Sequence, residues 1–373
     1  MKKTGLILYY TLTILAMLVY LPALLVYIVG PADWWLMGLI GIGFPFIYAG
    51  IFIWLIVSFG IGKKKSAYIL LIALLAGIPI FKNVFGFKKT EKFNVAKTGI
   101  TLRLLQWNCN GFAGVDPGFP TLIQQRKEAV DFIKKYDPDI ITLQEFGDGI
   151  IGKLPSTLRL LTDSLGYKYY AFRPFYYYHF TYGYCWTGNA ILSKLPLADT
   201  GYIAYPGKKV PEGIAWATAI KGSDSIKIVT THLSSLFLNY KVTSEGYEPH
   251  VIEDSAIINQ PDIFKKFKHF QPYHQVQANF LISHLEKNET NHPTILTADL
   301  NNVPSSYVYN RIKRNYTDAL LVNQFGFGGT YKHRLPNFRI DYCFTSPELY
   351  ILQSQLFSLG LSDHRAMLID IRF

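Results

Sequence analysis

Five short segments hold the side chains most able to do chemistry: Trp107-Asn108-Cys109-Asn110, Leu143-Gln144-Glu145, Thr231-His232-Leu233, Asp299-Leu300-Asn301 and Ser362-Asp363-His364. In Asn108, Glu145, His232, Asp299, Asp363 and His364 they offer one carboxamide, three carboxylates and two imidazoles. Each segment ends, follows or directly precedes a run typical of a strand, and the ends of strands are where an open sheet presents chemistry to solvent. Carboxylate oxygens suit a hard divalent cation that keeps several waters for substrate. Imidazoles beside them suit proton transfer to or from water. Together these groups fit a phosphate ester.

The elements that must position them read as mixed α/β. Strand-forming runs rich in Val, Ile, Leu, Thr and Tyr span residues 102–107, 139–143, 189–193, 215–220, 226–231, 294–298, 339–344 and 366–372. Helical runs lie at 122–135, 156–165, 273–287 and 305–314. Such an order predicts two packed sheets with helices outside, and residues 101–373 suffice for a single domain with one substantial core. There is no internal repeat and no low-complexity run.

Residues 1–90 are a different material. Leu6–Val29, Trp35–Phe59 and Ala67 to about Phe87 are apolar stretches, and ~20 such residues cross a bilayer. Three transmembrane helices are expected, with 91–100 as a linker. A cleavable signal sequence is disfavoured, because no small-residue cleavage site follows the first run and two more spans come after it. Pro79, Lys82 and Asn83 interrupt the third, which leaves a re-entrant segment as its alternative. Lys2, Lys3 and Lys63-Lys64-Lys65 fall on one side of the drawn spans, and the Pro31–Asp33 turn, without a basic residue, on the other. Basic loops favour the cytoplasm, so the expectation is a multi-pass protein, as in a bacterial inner membrane, with its soluble domain outside the cytoplasm. Lys82, Lys88, Lys89, Lys92 and Lys97 oppose that orientation.

The net charge of +11 looks like a nucleic-acid footprint, but residues 1–98 account for +8 and leave only +3 for the remainder. The basicity belongs to the membrane-flanking segments, where it meets anionic headgroups. Cys109, Cys185 and Cys343 give no disulfide framework; Cys109 and Cys343, in inner strands, read as small buried apolar residues.

Leu105–Asn108, Ile140–Glu145, Gly188–Ser193, Thr230–Leu233, Ala298–Asn301, Arg339–Tyr342 and Ser362–His364 resemble, in order, the successive motifs of the endonuclease/exonuclease/phosphatase superfamily. The resemblance implies the four-layer α/β/β/α sandwich of deoxyribonuclease-I-like proteins, a divalent cation (usually Mg2+, with Mn2+ an alternative) and hydrolysis of a phosphoester. It implies that Glu145 holds metal with Asn108 assisting, and that Asp363 is a second carboxylate on the metal side. His364 and Asp341 resemble the general-base pair, and His232 the second histidine, placed to bond or protonate the phosphate and leaving group. Asp299 and Asn301 resemble the family's Asp-x-Asn pair, which implies that the aspartate polarises water or helps bind metal. Asn301 and Asn189 are neutral donors to phosphate oxygens. The Thr-His-Leu motif resembles the branch that contains deoxyribonuclease I, neutral sphingomyelinases and inositol-phosphate phosphatases. Abasic-site endonucleases carry a different residue where His232 stands.

One departure is a long insertion between Ser234 and Tyr273, followed by His274 and Gln277 where relatives often show Arg and Gln. Within it, Phe264, Phe267 and Phe270 recur at helical spacing among Lys265, Lys266 and Lys268. The phenylalanines either pack on the core with the lysines solvated, or the segment touches an anionic membrane surface or a phosphate-bearing ligand. The aromatic block Tyr167–Trp186 is either core pairing or a grip on lipid or bases. The reading favoured at this stage is a membrane-anchored phosphodiesterase acting on a phosphodiester substrate, phospholipid or otherwise, with no protein partner. A surface nuclease is the alternative, and a binding protein that keeps the fold without turnover is the alternative of another class.

Overall fold

The computed structural model describes residues 3–97, 99, 101–112, 119–151, 156–180, 183–207, 212–236, 240–243, 246–249, 263–288, 292–332 and 337–372. Three helices come first: α1 (Lys3–Ala23), α2 (Leu36–Gly60) and α3 (Lys64–Val84). All three are long and apolar enough to cross a membrane. The third runs unbroken through Pro79 to Val84, so Pro79, Lys82 and Asn83 do not interrupt it as their residue types suggest.

Sixteen strands follow among the described residues, and twelve of them form two sheets. The small ones are β1 (Gly86–Phe87), β9 (Tyr240–Thr243), β10 (Gly246–Pro249) and β13 (Phe325–Gly326). Sheet one comprises β2 (Thr101–Asn108), β3 (Ile140–Ile151), β4 (Tyr169–Phe180), β5 (Gly183–Ser193), β15 (Tyr350–Phe357) and β16 (Ala366–Arg372), in the order β15-β16-β2-β3-β5-β4. Sheet two comprises β6 (Leu197–Ala204), β7 (Gly213–Lys221), β8 (Asp224–His232), β11 (Thr294–Asp299), β12 (Thr317–Asp318) and β14 (Asp341–Thr345), in the order β12-β14-β11-β8-β7-β6. Within these sheets β2 with β3 and β8 with β11 are parallel, and the remaining pairs are antiparallel.

Side chains alternate across a strand, and the alternation sorts them into three apolar layers. Leu102, Leu104, Ile140 and Ile369 of sheet one meet Ala217, Ile228, Ile295 and Cys343 of sheet two. On the other face of sheet one, Leu105, Trp107, Ile141 and Leu143 pack under α4 (Phe119–Tyr136) and α5 (Thr157–Leu165). On the other face of sheet two, Val229, Leu296, Tyr342 and Phe344 pack under α6 (Ile263–Lys287) and α7 (Tyr307–Lys313). This is the expected four-layer α/β/β/α sandwich. Strands covered on both faces read as continuous apolar runs, which is why β2, β3, β8, β11 and β16 stand out in the sequence. Cys109, Cys185 and Cys343 are all buried and free.

The sandwich packs on one end of the helical bundle. Tyr27 Oη donates to Pro304 O at 2.8 Å, Ser305 Oγ to Gly41 O at 2.6 Å, and Ala32 N to Gln275 Oε1 at 2.8 Å. Leu236, Phe267 and Phe270 pack against Trp35, Leu39 and Ile42. Gly38 and Gly41 permit this closeness, since a Cβ on either would collide with Gln271 or with the Ser305 carbonyl.

The segment expected to be a linker is pinned as well. Arg103, fully buried, forks onto Asp370 through Nε at 2.7 Å and Nη2 at 2.8 Å. Its remaining N–H groups donate to the carbonyls of Val95, Asn94 and Tyr136. Removing one partner of such a pair strands a buried charge, at about 3–5 kcal/mol. Asp370→Asn is therefore expected to lower the stability of the full chain by about that amount, read as a clear fall in the thermal midpoint of the detergent-solubilised protein. An unchanged midpoint would remove the fork from the account.

Candidate active site

His232, Asp299 and Asp341 sit side by side at one edge of sheet two. The register places Asp299 opposite His232 on β8 and opposite Asp341 on β14. From sheet one, Asn108 ends β2, and Ser362 Oγ donates to Asn108 O at 2.7 Å, which draws the Ser362-Asp363-His364 turn to the same place. A β-bulge delivers Glu145. Leu143 pairs with Ala190 and Phe146 with Gly188, so Gln144 and Glu145 share one opposing residue. Glu145 takes φ 49°, a left-handed value that a non-glycine residue adopts at some cost. Asn301, at φ 46°, turns back so that its N–H donates to Asp299 Oδ1 at 2.9 Å.

The two sheets are joined at the site through Asn108. Its amide donates to Glu145 Oε1 at 3.0 Å and to Asp299 Oδ2 at 2.9 Å. His364 Nδ1 lies 2.8 Å from Asp341 Oδ2, and its Nε2 is 3.9 Å from Asp363 Oδ1. His232 Nε2 is 3.7 Å from both Glu145 and Asp299, and Asn301 Nδ2 is 3.1 Å from it. The structure thus brings together Asn108, Glu145, His232, Asp299, Asn301, Asp341, Asp363 and His364. Asn189 is fully buried, with its amide on Gly213 O at 3.3 Å, and so braces the turn beside the cleft.

Sequence reasoning missed Glu212. It is buried just before β7, and its Oε1 lies 3.6 Å from His232 Nδ1. His232 therefore has a carboxylate behind it, as His364 has Asp341. No strand-end motif flags Glu212; only an acid directly preceding an apolar strand could have drawn attention to it. Burial pushes its pKa up to about 7, against the pull of His232.

The electrostatics follow from crowding acids in a dry place. Burial and the neighbouring Asp341 charge raise Asp299. For His364 burial opposes protonation, yet Asp341, with Asp299 and Asp363 behind it, pushes the imidazole up to about 10. His232 is likewise raised, with Glu212, Asp299 and Glu145 outweighing burial. Ligand atoms of Asp299, Asp341 and His364 approach one another within 4.8 Å. His364 is already paired through Nδ1, so the oxygens of Asp299 and Glu145 are better donors for a hard cation. An excess of acid and a buried Asp341 Oδ1 with no hydrogen-bond partner among the described residues both fit a cation here.

A family model described as the endonuclease/exonuclease/phosphatase family matches residues 105–364, the span that carries every one of these residues. The chain belongs to this family. Its members hydrolyse phosphoesters, as nucleases and phosphatases. Among solved structures, the human nocturnin catalytic domain with bound sulfate is similar at TM-score 0.54 and 19% identity, over 73% of this chain and 93% of that one. An endonuclease/exonuclease/phosphatase from Beutenbergia cavernae gives 0.51 and 19%, over 73% and 72%. A family protein from Leptotrichia buccalis gives 0.51 and 15%, over 73% and 100%. At these identities the likeness establishes the fold. Among curated proteins none matches this sequence.

His274, which stands where relatives often show Arg, and Gln277, which keeps the family residue, face inward. His274 Nε2 is 2.6 Å from Ser234 O and Nδ1 is 2.6 Å from Asn302 Nδ2, while Gln277 Nε2 donates to Ser234 Oγ at 3.1 Å. They position the loops that leave His232 and Asn301. Burial lowers the His274 pKa to about 4 from the usual 6.5. The fold favours the neutral ring, so this contribution is present above pH 6.5 and is lost as pH falls toward 4, on the order of 3 kcal/mol in all. Thermal midpoints of the wild type should drop across that window, and His274→Gln should flatten the drop. Equal slopes in the two proteins would show that His274 is protonated in the fold.

Proposed function

We propose that this chain is a membrane-anchored, divalent-metal-dependent hydrolase of phosphodiesters that prefers esters presented by lipid. One observation carries the hydrolytic part: the His364–Asp341 pair at 2.8 Å stands beside the Asn108–Glu145–Asp299 cluster. Asp341 accepts a hydrogen bond from Nδ1–H and fixes the tautomer, which leaves Nε2 to accept a proton from the attacking water. His232, backed by Glu212, stands on the opposite flank to give a proton to the leaving oxygen. Asn301 is a neutral donor to a non-bridging phosphate oxygen, and Asn189 serves by holding the Glu212–Gly213 turn. Glu145, Asp299 and Asn108, with Asp363 at the rim, would hold Mg2+ or Mn2+. When bound, such a cation supplies charge to the phosphate and neutralises the acids that otherwise keep His364 protonated.

The membrane part rests on the three apolar helices and on where the basic residues fall. Lys3 and Lys63–Lys65 lie at the end of the bundle away from the soluble domain, which supports a catalytic domain outside the cytoplasm. Residues 1–90 are thus read as anchor, 91–100 as connection and 101–373 as catalytic domain.

His364→Ala and His232→Ala should each lower turnover by ~10²–10⁴-fold in folded protein, and Glu145→Gln should raise the Mg2+ concentration needed for half-activity. Near-wild-type turnover in either histidine variant, or full activity in chelator, would overturn the mechanism.

The substrate choice rests on charge. A nuclease that grips the phosphate backbone needs several basic residues around its cleft and shows steep salt dependence, whereas residues 99–373 carry only +3. Lipid-presented phosphodiesters should therefore be hydrolysed faster than duplex DNA in the same Mg2+ buffer. Rapid DNA cleavage with no turnover of any phospholipid would favour the nuclease reading.

A further inference from the structure

We infer that the catalytic domain itself lies in the headgroup layer of the bilayer, docked at two points beside its cleft: the first half of α6, and an aromatic patch where α3 meets residues 325–327. This deepens the membrane reading above and rests on it.

The first point follows from helix length. At ~1.5 Å per residue, α1 and α3, with 21 residues each, run about 32 Å and match a hydrocarbon core of ~30 Å, whereas α2, with 25, runs about 38 Å. At the first turns of α2, level with the end of α3, α6 covers it: Phe267 and Phe270 pack on Trp35, Leu39 and Ile42, and Gln271 lies over Gly38. Ile42 is about 9 Å along α2 from its start, so the covering helix sits at the depth of headgroups. Its other face carries Phe264, 61% exposed, with Lys265, Lys268 and His269 also exposed. An exposed aromatic ring flanked by lysines is what an interfacial helix offers an anionic surface. Both readings of this segment thus hold at once, for different phenylalanines.

The second point lies just past the end of α3. Strand β1 pairs with β13, and Phe85 packs edge-on against Phe325 and Phe327, with Phe87 beside it. Phe87, Phe325 and Phe327 are 59%, 62% and 52% exposed, and exposed Lys88, Lys89 and Lys92 follow. Val84 and Met37 share one apolar cluster, so the ends of α3 and α2, and with them the two patches, are level. Aromatic rings sit by preference at the membrane–water boundary. The occupant is therefore the headgroup layer around the protein's own spans, with anionic lipids answering the lysines.

The consequence for substrate is one of reach. Pro304 and Ser305, which bond Tyr27 and Gly41, come three and four residues after Asn301, and Leu236 comes four after His232. Three extended residues span at most ~10 Å. The phosphate that reaches the site is accordingly one held at headgroup depth, in the leaflet on the catalytic side.

The three native cysteines are buried, so single cysteines introduced as Phe264→Cys, Phe325→Cys and, as a control on the far end of β4, Tyr170→Cys can carry an environment-sensitive fluorophore. The full chain is reconstituted in phosphatidylcholine vesicles with and without phosphatidylglycerol and with brominated lipid as quencher. Labels at 264 and 325 should emit to the blue of the label at 170 and be quenched several-fold more strongly, and phosphatidylglycerol should increase the quenching. Lys265→Glu with Lys268→Glu should abolish that increase at 264. If the chain resists alkaline carbonate extraction but both labels behave as the control does, the docking is wrong and the anchor stands. If carbonate extracts the chain, the membrane reading fails, and the docking with it.

Discussion

Much of the architecture converges on one carboxamide. Asn108 closes the central strand of sheet one, yet its amide reaches Asp299 on sheet two as well as Glu145 on its own sheet. Two acids at that spacing repel each other in a dry cleft, and a two-donor group between them makes the arrangement tolerable. Beneath it, Gln106 donates to Gln144, and Gln144 to Thr230 across the sheets. The two sheets are therefore held at a fixed separation at this end by hydrogen bonds, and the candidate site inherits that separation. An apolar pair at position 108 would let the sheets close without aiming anything.

How much of this was legible in the sequence depended on burial. The central strands are covered on both faces, so their apolar runs were visible at Leu102–Trp107 or Ile226–Thr231 and their ends pointed straight to the site. The strands of the two sheets that match no expected run, β4, β6, β12 and β15, are all sheet edges. The residues of the longer three are half-exposed: β15 alternates polar and apolar around a bulge, and β4 contains Pro174 at a bulge. Edge strands need less apolar surface, and turn-forming or polar residues there disguise them. Glu212 escaped because its role comes from a neighbour twenty residues away in sequence. The Glu145 bulge was equally invisible, since a register shift leaves no compositional mark. The helical run at 273–287 extends ten residues further toward the N-terminus, since α6 starts at Ile263 and takes in the 264–270 segment of helical spacing within the insertion. Residues 250–262 of the insertion lie outside the described residues.

The family pattern fixes the reaction class and leaves selectivity to what surrounds the cleft. Here the surroundings are unusual for their direction. His274, Gln277 and Asn302 turn inward to hold loops in place, while the outward face of the same helix meets α2. The helix that shapes one wall of the cleft is also the helix that seats the domain, so substrate access and seating cannot be altered independently.

The Arg103 fork has a further consequence for how such a molecule would work. By holding the carbonyls of Asn94 and Val95, it removes the slack from the only covalent connection between the helices and the sandwich. A catalytic head on a loose tether sweeps a volume, and its encounter rate is governed by tether dynamics. For the lipid-presented substrate proposed above, a head without slack leaves supply to lateral diffusion within the leaflet. Turnover in that regime follows surface density and bilayer fluidity, and bulk concentration becomes irrelevant.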